Sequence, residues 1–90
     1  MNNQMARRTV KLAHRNGLHL TPIQQLVKAV SGYSSAVKLH FDGKSANAGS
    51  AMDLMLLGAT FGANLELEAT GDDAEAALAA AESVLSTASD

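Results

Sequence analysis

From Arg8 to Leu12 polar and apolar residues alternate, with Val10 and Leu12 on one side, which is the period of a half-buried strand. Ile23, Leu26, Val27 and Val30 then recur at the spacing of one helical face, and Gly32 stands where that helix would stop. Val37, Leu39 and Phe41 alternate with Ala36, Lys38 and His40 in a second strand. Asp42-Gly43 marks a tight hairpin turn, because both of its central residues need positive φ, and a short strand through Ser45, Ala46 and Asn47 returns from it. Ser50-Ala51-Met52-Asp53 reads as a helix start, and that helix ends near Gly58. Leu65, Leu67 and Ala69 alternate with Glu66 and Glu68 in a last strand. After Gly71-Asp72-Asp73, the residues Ala74, Ala77, Leu78, Ala81, Val84 and Leu85 form a continuous helical stripe. Every strand has one apolar face and every helix one apolar stripe. The pattern therefore predicts an α+β open-faced sandwich of order βαββαβα. Its four-stranded, mainly antiparallel sheet is covered on one face by three helices. The bare face would carry Thr9, Lys11, Lys38, His40, Glu66 and Glu68.

Ninety residues make a single domain, 1–90. Cysteine is absent, so disulfides, thiolate nucleophiles and cysteine-ligated zinc are excluded. No apolar run approaches a membrane span, and no apolar stretch follows Arg7-Arg8 as a secretory signal requires, so the expected location is the cytoplasm. The formal charge of −2 conceals an asymmetry. Seven bases and one acid, Asp42, occupy the first 44 positions, whereas the remaining 46 hold eight acids and no base. An RNA-binding arm would use such a basic half. However, Tyr33, Phe41 and Phe61 are too scattered to form a stacking platform, and interleaved strands would mix the charges. Nucleic acid is not an expected partner.

Chemistry concentrates at Asn16-Gly17-Leu18-His19-Leu20-Thr21-Pro22. There a histidine stands at a loop-to-helix junction, where unpaired amides and the helix dipole favour an anion. Imidazole is a nucleophile near neutral pH, so this placement suits a phosphoryl group carried on the ring. Taken by itself, a lone loop histidine is more often a plain polar residue or a helix cap. His14 and His40 lack carboxylate or cysteine companions at metal-ligand spacing and read as solvated surface; neither a metal nor a cofactor is expected.

Gly17-Leu18-His19-Leu20-Thr21-Pro22 resembles the active-site motif of the HPr family, the histidine phosphocarriers of the bacterial sugar phosphotransferase system. Asp42-Gly43-Lys44-Ser45-Ala46-Asn47-Ala48-Gly49-Ser50 is similar to that family's hairpin and regulatory serine, and Leu57-Gly58-Ala59-Thr60-Phe61-Gly62 to its next loop. The likeness runs from about Thr9 to Leu85. It implies that His19 takes a phosphoryl group on its δ nitrogen from the phosphoenolpyruvate-dependent first enzyme. A sugar-specific or regulatory phosphotransferase component would then receive it, Leu20 and Thr21 belonging to the phosphate-binding and partner-binding segment. It also implies a monomer. Ser50 would be a kinase target in lineages that have the kinase.

Thr21 departs from the pattern, since the family usually has arginine there, and one hydroxyl cannot replace a guanidinium fork. Arg15, four residues before His19, is a candidate to supply part of that charge. Thr21-Pro22-Ile23-Gln24 also fits a capping box, which would make Thr21 the helix cap, while the family geometry gives that place to His19. Ser50 serves as a cap whether or not it is phosphorylated. Met52, Leu54, Met55 and Leu56 crowd one short helix, either as a partner-binding patch around Met52 or as core. The competing reading is a regulatory binding module that has weak or lost histidine phosphotransfer.

Overall fold

The computed structural model describes residues 4–87. It contains β1 (Met5–Lys11), α1 (Leu20–Val30), β2 (Ala36–Phe41), β3 (Lys44–Asn47), α2 (Ala51–Leu57), β4 (Asn64–Thr70) and α3 (Ala74–Ser86). The sheet order is β1-β4-β2-β3 and every pairing is antiparallel. The expected order and layering form as read. The first strand starts earlier than the alternation suggests, at Met5, because β4 is long enough to pair with it as far as Thr70. It also ends at Lys11, one residue short of Leu12.

Register separates the two faces. Val10 lies opposite Leu65, Ala6 opposite Ala69, and Leu39 opposite both Leu67 and Ala46, all on the side that the helices cover. Those residues join Ile23, Leu26, Leu54, Leu57, Leu78 and Leu85 in one buried core. Each large side chain there contributes about 1.5–3 kcal/mol by leaving water. The DG hairpin has positive φ at both Asp42 and Gly43, as the turn requires.

The bare face pairs the two oppositely charged halves of the sequence. Lys38 faces Glu68 and Arg7 faces Glu68 across the ladder, and Arg7 reaches Glu66 at 3.0 Å. His40 Nε2 donates to Glu68 Oε1 at 3.0 Å, while its Nδ1 lies 2.8 Å from Ser45 Oγ. Arg8 points the other way. From the edge strand it extends to α3, contacting Glu82 at 2.7 Å and Glu75 at 3.3 Å. Hydrogen bonds to Glu82 and then Glu75 raise its pKa further.

The entry to α3 is held by Asp73. Its carboxylate makes no capping bond to its own helix but accepts from the amides of Ser34 and Ser35, both at 2.9 Å, and from their hydroxyls. Those bonds, led by the Ser35 hydroxyl, hold its carboxyl below the ordinary range.

One expectation is overturned here. His14 is not solvated surface; it has no exposed area at all. The chain turns inward after β1, and the ring finds an acceptor on α3, with His14 Nε2 2.7 Å from the Val84 carbonyl oxygen. His40, by contrast, stays at the surface, half-buried among its partners.

Candidate functional site

Residues 12–19 form the loop that delivers His19. Its start is tied down by Leu12 N–H donating to Ala63 and Ala13 N–H donating to Leu85. Gly17 N–H then donates back to the His14 carbonyl at 2.9 Å, closing a tight turn with Gly17 at φ +75°. A Cβ on Gly17 would lie 2.7 Å from the Ala59 carbonyl oxygen, so only glycine permits this approach. Leu18 N–H donates to that same Ala59 oxygen, and His19 N–H to the Gly17 carbonyl.

His19 has extended backbone, and its carbonyl accepts the first helical bond, from Ile23 at 3.0 Å. It is the N-cap of α1 through its main chain, with no capping bond from its side chain. The ring is therefore free for other work. Its Nε2 is enclosed with no hydrogen-bond partner. His19 is thus the cap, as the family resemblance implies, and the capping box that the local sequence also allows around Thr21 does not form, because Thr21 is already inside the helix at its second position. Pro22 occupies the third position, where a missing N–H costs nothing, and its ring is buried. Burying that ring fixes where the helix starts, against the preference of the local sequence. Leu20 and Thr21 keep amides with no intrahelical acceptor, and the first turn holds no acid to repel an anion. Thr21 is exposed, and so is Arg15, which the structure does not bring into hydrogen-bond contact with His19.

α2 packs against α1 and β3. Ser50 caps it, its Oγ accepting from Asp53 N–H at 3.2 Å, and Gly58 ends it in the left-handed region. Of the four large apolar residues in question, Leu54 fills the core, whereas Met52, Met55 and Leu56 are each more than half exposed. Leu20, beside His19, is equally exposed, as is Phe61 in the loop that receives Gly17 and Leu18. Phe61 was not singled out from the sequence as a functional residue; its position between Thr60 and Gly62, in a segment too short and turn-rich for a core strand, is the available signal. Among the described residues no cluster of three His, Asp or Glu side chains is placed to hold a metal. Nor is any helix there long and apolar enough to cross a membrane.

Residues 6–87 match the family model described as the phosphorylation site of the PTS HPr component. Among solved structures, the phosphocarrier protein HPr from Bacillus anthracis str. Ames is 30% identical, with 92% of this chain and 99% of that chain covered and a TM-score of 0.86. HPr-C-His from Thermoanaerobacter tengcongensis is 34% identical over 89% of this chain and 90% of that one, at a TM-score of 0.84. The Bacillus subtilis catabolite-repression protein Crh, described as a domain-swapped dimer, is 34% identical over 79% and 82%, at 0.73.

Proposed function

The chain belongs to the HPr family of the phosphotransferase system, and from that premise we propose that it carries a phosphoryl group on His19 between a phosphoenolpyruvate-dependent first enzyme and a phosphotransferase component. The observation that carries this is the placement of His19: N-cap of α1 by its main chain alone, ahead of unpaired amides and an acid-free first turn.

With Nε2 enclosed, Nδ1 is the ring nitrogen that a donor can reach. Its lone pair attacks the donor's phosphorus as the bond from phosphorus to the donor breaks, and Nε2 keeps the ring proton. The Leu20 and Thr21 amides stabilise the phosphoryl oxygens. Onward transfer reverses these steps: the N–P bond breaks as the acceptor's nucleophile binds phosphorus. Little covalent chemistry is asked of the protein beyond positioning. Met52, Met55, Leu56 and Leu20 are the surface on which partners dock, consistent with a monomer working between them in the cytoplasm. Arg7 and Arg8 are engaged by acids of β4 and α3. Ser50 Oγ is the position a regulatory kinase would modify, placing the new charge beside Asp53.

Intact mass after incubation with the first enzyme and phosphoenolpyruvate tests the proposal. A gain of one phosphate is expected, and its loss in His19→Ala. The absence of that gain in the unmodified protein would instead favour a regulatory binding module. That second reading draws on Thr21 standing where the family has arginine, and on a solved relative described as a catabolite-repression protein.

A further inference from the structure

We propose that His14 is a positioning residue, its buried ring fastening the loop that presents His19 to the C-terminal turn of α3; the reaction it serves is the one proposed above. The last four carbonyls of a helix have no intrahelical donor. In α3 these include Val84 and Leu85, and the last turn carries no basic side chain to serve them. The loop supplies both donors: Ala13 N–H to Leu85 O at 2.9 Å, and His14 Nε2 to Val84 O at 2.7 Å.

The carbonyl can only accept, so His14 must hold its proton on Nε2. From His14 the connection continues without a gap. Its own carbonyl accepts from Gly17 N–H, and the Gly17 carbonyl accepts from His19 N–H. Three hydrogen bonds thus run from the end of α3 to the cap residue of α1. The ring has no exposed surface, so its rotamer is set by packing and the loop inherits that rigidity. A transferred group must meet Nδ1 of His19 in line with the departing bond, and a displacement of order 1 Å at such a centre costs about a hundredfold.

Two variants separate this role from simple core filling. His14→Gln keeps an N–H donor within reach of Val84, whereas His14→Leu fills the space with no donor. Phosphorylation by the first enzyme should fall about tenfold in kcat for the leucine variant, with KM unchanged because α1 and α2 still dock, and glutamine should recover most of the loss. Equal rates for all three proteins would overturn the proposal, and so would a glutamine variant as slow as the leucine one.

Amide hydrogen exchange provides a reading that needs no phosphate. The Gly17 and His19 amides should exchange about tenfold faster in the leucine variant and recover in the glutamine one, with Leu67 in β4 unchanged in both. Unchanged protection would refute the role of His14. A wild-type protein that takes no phosphate, with variants that show this exchange pattern, would end the phosphocarrier reading and leave the anchor intact. Should the leucine variant not fold, the wild-type imidazole decides: a slowly exchanging Nε2–H resonance from His14 is expected, and its absence removes the donor on which the proposal stands.

Discussion

Thr21 is where one side chain has most to say about rate. It is exposed at the second position of α1 and makes no capping bond, so replacing it removes nothing the helix needs. Thr21→Arg would bring a guanidinium to the rim of the site. A charge-assisted contact contributes about 1.5–3 kcal/mol, which if fully expressed in the transition state is roughly ten- to a hundredfold. Solvent exposure favours the lower end. Phosphorylation of His19 should therefore accelerate about tenfold with an unchanged melting temperature, measured by quenched-flow labelling and calorimetry. A lower melting temperature at an unchanged rate would show that Thr21 supports the helix start after all. At this scale the sequence reveals what is written locally. The cap role of Ser50 and the position of His19 follow from their immediate neighbours. The burial of His14 does not, since its acceptor, Val84, lies 70 residues away in sequence.

Elements were legible wherever a period or a turn residue marked them. β2 and β4 alternate cleanly, and the hairpin between β2 and β3 is announced by Asp42-Gly43. The start of α1 was ambiguous because two local rules competed there, and tertiary burial of Pro22 decided between them. The loop before α1 has no period to read, and its shape comes from the neighbouring segment at Ala59. Gly17 is the point of contact, and Gly17→Ala tests it. The new methyl would meet the Ala59 carbonyl at 2.7 Å, with the backbone held at positive φ. Left-handed geometry costs an L-residue about 1–2 kcal/mol and the overpacking a further 1–3. Chemical denaturation should show a loss of about 2–5 kcal/mol, and any variant protein that folds should phosphorylate more slowly. A loss under about 0.5 kcal/mol, the range of a neutral surface change, would mean that the loop is looser than described.

For the molecule as a whole, charge pattern became structure. β4 is acidic and lies between two basic strands, so halves of opposite sign in sequence become neighbours on one sheet face. Acid sensitivity follows. Asp73 is held below its ordinary value of 3.8 by the Ser35 hydroxyl and the Ser34 amide, and Glu68 below 4.5 by the hydrogen bond from His40 and the charge of Arg7. A carboxyl whose folded pKa is depressed contributes stability that is complete above its unfolded value and lost as pH falls through the folded one. Melting temperature should thus decline on acidification from about pH 5 downward. Asp73→Asn should be less stable at neutral pH and show a shallower acid decline. An identical slope in that variant would place the acid sensitivity elsewhere.

The strand order has a consequence for how the molecule can come into being. Among the described residues β1 pairs in the sheet with β4 alone, and the loop that follows it is secured by the last turn of α3. In the opening two-thirds of the chain the β2–β3 hairpin can pair on its own, but β1 has no strand to pair with. β1 waits unpaired until β4 emerges, and the His19 loop gains its full set of hydrogen bonds only when the final helix docks. Before α3 is made, His19 stands on a loop that lacks its ties to Val84 and Leu85, so the loop is fully fastened only once α3 has docked.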